Sequence, residues 1–187
     1  MSRAPRTAPA GVSVMQHLII RVVLVAALGI GVALPAMAQD TSGATARVLS
    51  SSMVDSIKVG ADAADAEGGS DPGVTACVRA IPPSALEPMY SRLLDSEFTA
   101  SERAVLDAFH GSEAGALLFR DIHNDVRHAG GLPVTDPVEL SPAHRAEIAA
   151  FEATPEARKL ARMTGASNGV VSKALGVEVD ALLMACF

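Results

Sequence analysis

The segment Phe98–Arg120, FTASERAVLDAFHGSEAGALLFR, recurs without a gap 42 positions on as Leu140–Arg162, LSPAHRAEIAAFEATPEARKLAR. Arg103/Arg145, Ala104/Ala146, Ala108/Ala150, Phe109/Phe151, Leu118/Leu160 and Arg120/Arg162 are identical pairs. Each copy opens on a hydroxyl helix cap, Thr99 or Ser141. Thr99 is followed three residues later by Glu102, the pattern of a capping box, and Ser141 by Pro142 at the first helical position. Leu106 and Phe109, or Ile148 and Phe151, then share one face. A second hydroxyl, Ser112 or Thr154, restarts the helix. The unit is therefore an αα-corner, with Leu106, Phe109, Leu118, Ile148, Phe151 and Leu160 as its expected core.

One such corner has a single apolar face and nothing to cover it, so two copies must pack on each other. A solenoid needs more repeats than two. The expected architecture is a pseudo-symmetric, compact helical bundle built from both corners plus flanking helices.

The flanks carry the same helical period. Leu49, Met53 and Ile57 mark a first helix, and Gly60–Gly73 reads as an acidic, glycine-rich linker. A short piece with Cys77 ends at Pro82-Pro83, and Leu86, Tyr90, Leu93 and Leu94 mark the next helix, with Pro88 in its first turn. Val171, Leu175, Val179, Leu182 and Cys186 form a closing stripe. No segment after Gln39 alternates convincingly with a period of two, so the class is all-α. The expected divisions are 1–38, 39–73 (helix and linker) and 74–187 (helical domain, repeat copies 98–120 and 140–162).

Residues 1–38 read as a cleaved signal peptide. Arg3, Arg6 and Arg21 precede the apolar run VVLVAALGIGVALP, and Ala36-Met37-Ala38 offers a small-residue cleavage site before Gln39. The run is short of the ~20 residues a membrane span needs, so no stable span is expected after cleavage. Cleavage would remove three of the 15 basic residues and none of the 21 acidic ones, leaving 12 against 21, a net −9. Such a surface repels phosphate backbones, and nucleic acid is not an expected partner. Export to a periplasm also bears on the only two cysteines, Cys77 and Cys186, which are expected to form a disulfide.

Signals for chemistry are few. Asp121, Asp125 and His128 fall on one face of a helix with spacing that suits metal ligands, although a solvated charged face explains them as well. His110, just after Phe109, reads as a C-terminal cap residue. Ser112 lacks the strand and the G-x-S-x-G frame of a nucleophile elbow, and its repeat equivalent is Thr154, so a cap is the better reading. No phosphate loop or paired-carboxylate signature is present. The expectation is a protein that is not an enzyme and uses no cofactor.

With its caps, its phenylalanines and the small residue Gly115, the repeat resembles the pattern L/F-T/S-x-x-E-x-x-x-L-x-x-F-x-x-S/T-P-x-G-x-x-L. That pattern is similar to a widespread family of exported bacterial helical domains of unknown function. The first copy departs from it at Glu113 and the second at His144 and Ala157. The resemblance implies a helical periplasmic protein without a known catalytic residue. The functional expectation is a non-catalytic module that binds another protein or an envelope component. One alternative is an immunity or inhibitor protein against an envelope-targeted toxin or hydrolase, whose acidic surface would steer it to a basic enzyme. The other is a carrier of a metal or small ligand.

Overall fold

The computed structural model describes residues 43–134, 136–165 and 169–187, through which eight α-helices run. They are α1 (Ala44–Ala66), α2 (Pro72–Ala80), α3 (Glu87–Glu97), α4 (Ala100–His110), α5 (Glu113–Ala129), α6 (Pro142–Glu152), α7 (Pro155–Thr164) and α8 (Gly169–Met184). The leader reading of residues 1–38 lies outside the described residues. Among the described residues, no helix is long and apolar enough to cross a membrane.

The two corners are α4–α5 and α6–α7. All four hydroxyl residues cap helices: Thr99 accepts from Glu102 N at 3.3 Å, Ser112 from Gly115 N, Ser141 from His144 N and Thr154 from Ala157 N, the last three at 3.1 Å. The capping box is complete in the first copy, where Thr99 N donates to Glu102 Oε2 at 2.7 Å. The Thr99 N–H, and then Lys159 at 2.9 Å, hold the Glu102 carboxyl below its ordinary value. The second copy has His144 where Glu102 would be, so its cap is one-sided.

The copies meet through equivalent residues. The rings of Phe109 and Phe151 stack with centroids 3.7 Å apart and planes 6° from parallel. Around them lie Ala114, Ile148, Leu118 and Leu140. Phe151 also packs on the larger core, which includes Leu106 and Leu160, and so joins the two clusters.

The corners differ at one backbone position. A Cβ on Gly115 would stand 2.2 Å from the Phe109 carbonyl oxygen, whereas the equivalent position of the second copy holds an alanine, Ala157. The first bend is therefore tight enough to require glycine for space. Gly115→Ala should lower stability by about 1–3 kcal/mol, read as a reduced urea midpoint at an unchanged slope. An unchanged midpoint would mean that the corner opens freely.

The reading of Gly60–Gly73 as a linker is corrected. Helix α1 runs on through Gly60 to Ala66, and only Glu67–Asp71 turns before α2. Four alanines in Ala61–Ala66 favour helix, and Asp62 and Asp65 meet Arg79 of α2 at 2.7 and 3.0 Å. No boundary falls at residue 73 either, because α1 packs on α2, α3, α4 and α5. Its most buried line is one of small side chains, Ala46 (1% exposed), Ser50 (0%) and Val54 (0%), rather than the expected Leu49, Met53 and Ile57, which are half-buried. Small residues let four helices approach one. Ser50 Oγ also donates to Pro83 O at 2.6 Å and accepts from Leu86 N at 3.1 Å, fixing the α2–α3 turn to the centre of the bundle.

Candidate docking surface

Cys77 on α2 and Cys186 just after α8 are bonded, with Cα atoms 5.6 Å apart. The bridge fastens α8 to the bundle, where it packs on α3 and α7. Leu106, Phe109, Ile148 and Leu160 are buried, and Leu118 and Phe151 are half-buried. Of the residues with metal-ligand spacing, Asp125 and His128 are exposed and Asp121 is half-exposed. Among the described residues, no three His, Cys, Asp or Glu side chains converge into a metal-binding group.

His110 is corrected from a capping role to a core one. It is buried, and its Nδ1 lies 3.0 Å from the Thr45 hydroxyl, which is itself buried at the start of α1. Asp107, one turn back on α4, accepts from Gly43 N at 3.0 Å and Thr45 N at 2.9 Å. Its carboxylate thus caps the N-terminus of α1, where the partial positive charge of the helix favours an anion. The His110 ring stands edge-on to Phe119 and Phe151 at 5.4 Å. Together Thr45, Asp107 and His110 clamp α1 to the first corner. Sequence reasoning missed this trio, although one signal was present: the repeat equivalent of His110 is Glu152, which is exposed.

Burial pushes the His110 imidazole down to about 4, and the Asp107 carboxylate and Leu106 carbonyl offset this only in part. The ring is neutral in the folded state at pH 7. Between pH ~6.5 and ~4 the unfolded chain takes up a proton that the folded chain refuses, so stability must fall as pH falls through that window. The loss is on the order of 3 kcal/mol and is complete near the folded pKa. Denaturant midpoints from pH 7 to pH 4.5 should show this fall, and His110→Gln should flatten it. An equal fall in that variant would place the proton elsewhere.

The surface facing outward is different in kind. An open groove of roughly 500 Å³ runs between α3 and α8. Met89, Leu93, Ala174 and Val177 give it an apolar lining, with Arg92, Lys173 and Glu178 among its polar residues. Arg92 donates to Glu178 Oε1 at 2.9 Å, joining the two helices. On α8, Leu175, Val179, Leu182 and Leu183 turn inward with Cys186, while Lys173, Val177, Asp180, Ala181 and Met184 face solvent. The side chain of Val171, first in the expected stripe, lies outside the described residues. Val177 (64% exposed), Met184 (71%) and Phe187 (85%) are the most exposed large apolar side chains among the described residues. The others, Val105, Ile122 and Val134, are each near 40% and scattered singly.

The inner face of α8 is packed, and its outer face sets the exposed apolar side chains Val177 and Met184 alongside Lys173 and Asp180. That signal is legible in ALGVEVDALLMACF, where Val177 and Met184 fall off the inward stripe. The fold and this surface define a disulfide-tied, all-α bundle with two exposed apolar side chains, Val177 and Met184, on its last helix. No family model, curated protein or solved structure matches the chain.

Proposed function

We propose that this chain is an exported, non-catalytic helical module that docks a protein on the face made by α3 and α8. The observation that carries this reading is the outward line of Val177 and Met184 beside an apolar groove, on a helix whose inner face is already packed. Polar residues flank the groove, as they do the apolar centre of protein–protein interfaces. Export is supported by the signal-peptide pattern of residues 1–38 and by the pairing of both cysteines, which suits an oxidising compartment.

Photo-cross-linking in cells that export the protein tests the reading. A photoreactive residue at Val177 or Met184 should give a protein adduct, whereas one at Val105, another exposed apolar position, should not. Absence of adducts at both α8 positions would overturn it.

A further inference from the structure

We infer that the occupant of the α8 face is a second copy of this chain, paired antiparallel about a two-fold axis near Val177. The inference rests on the docking role proposed for α8, and it adds the identity of the partner. At 100° per residue, Lys173, Val177, Asp180 and Met184 fall within one narrow strip of the helix, and all four are exposed. The strip thus carries a cation near one end, an anion past its middle and apolar side chains between and beyond them.

Charge decides the orientation. In a parallel pair, Lys173 would face Lys173 and Asp180 would face Asp180. In an antiparallel pair turned about Val177, each Lys173 falls beside Asp180 of the second copy, and the contact occurs twice by symmetry. Both groups are available for it, since among the described residues neither has an ion-pair partner within its own chain. The neighbouring Glu178, by contrast, is taken by Arg92. Ala181 flanks the strip and leaves room for close approach of two backbones, while Val177 of each copy meets the other at the axis. The pattern is self-complementary, as a two-fold interface must be.

Size sets the strength. A helix of 16 residues offers a strip about 24 Å long and ~10 Å wide. A footprint of about 240 Å² a side falls well below the ~600 Å² or more per partner of stable specific interfaces, so the dimer should be weak and concentration-dependent, with a dissociation constant on the order of 100 µM.

Sedimentation velocity of the processed, disulfide-intact chain from about 10 to 500 µM is the experiment. The average mass should climb toward that of a dimer. Lys173→Asp or Asp180→Lys should each weaken association about tenfold or more, and the double exchange should restore it to within ~3-fold of the original. Both sites are exposed, so the variants should fold as the parent does. A dimer indifferent to these changes would use another surface and overturn the inference. A monomer at every concentration would overturn it too, and the Val177 cross-link then separates the two readings. An adduct with a different protein leaves the docking face standing without self-pairing, and no adduct removes both.

Discussion

Phe109→Ala should cost about 3–5 kcal/mol of folding stability, and Phe151→Ala should fall toward the lower end of that range because its ring is only half-buried. Each ring is the other's main aromatic neighbour, stacked at 3.7 Å across the junction of the two corners. Removing either leaves a cavity bordered by Ala114 and Ile148 and deprives His110 of an edge-on contact. The two losses should not add. A double-mutant cycle should show a coupling of about 0.5–1.5 kcal/mol, the range for aromatic pairs beyond their burial. Urea unfolding at pH 7, where His110 is neutral, measures all four corners of the cycle. A loss under ~1 kcal/mol at Phe109 would mean that the corners are held together elsewhere.

Opening the Cys77–Cys186 bridge should have an effect of similar size. The cysteines are 109 residues apart, and closing a loop of that length restricts the unfolded chain by about 4–5 kcal/mol at 25 °C. Paired Cys77→Ser and Cys186→Ser substitutions, or unfolding with and without reductant, should recover most of that difference. The loss should also have an address. Helix α8 packs on α3 and α7 alone among its main neighbours, with Arg92–Glu178 as an exposed tie that contributes little. Hydrogen exchange in the reduced protein should therefore accelerate first in α8, while α1 keeps its protection at the centre of the bundle. Uniform acceleration would show that the bridge restrains the whole chain and does not fasten one helix. The distinction bears on the α8 surface, since a partner that docks there needs that helix held in place.

Much of the architecture was legible before any coordinates. Thr99, Ser112, Ser141 and Thr154 act on backbone N–H groups three residues away, so their role is written in a few consecutive letters. The pairing of Cys77 with Cys186 was legible for another reason: there were two cysteines and one bond to make. The candidate surface was legible only in part. The inward stripe Leu175–Val179–Leu182–Cys186 could be read by its period, but the same reading passed over Val177 and Met184, which lie off it.

By itself, then, the sequence determined where the helices of the two corners start, that the corners repeat, and most of the large side chains each corner buries. These are local matters, decided by capping, propensity and period over one or two turns. The tertiary structure decided that α1 stands at the centre, on a line of Ala46, Ser50 and Val54 too small to announce itself. It decided that this helix runs on to Ala66, where Asp62 and Asp65 meet Arg79 of α2, and that His110 reaches 65 residues back to Thr45. It also left Val177 and Met184 uncovered. Burial of a small or polar side chain depends on what the rest of the chain brings against it, and no local pattern carries that information.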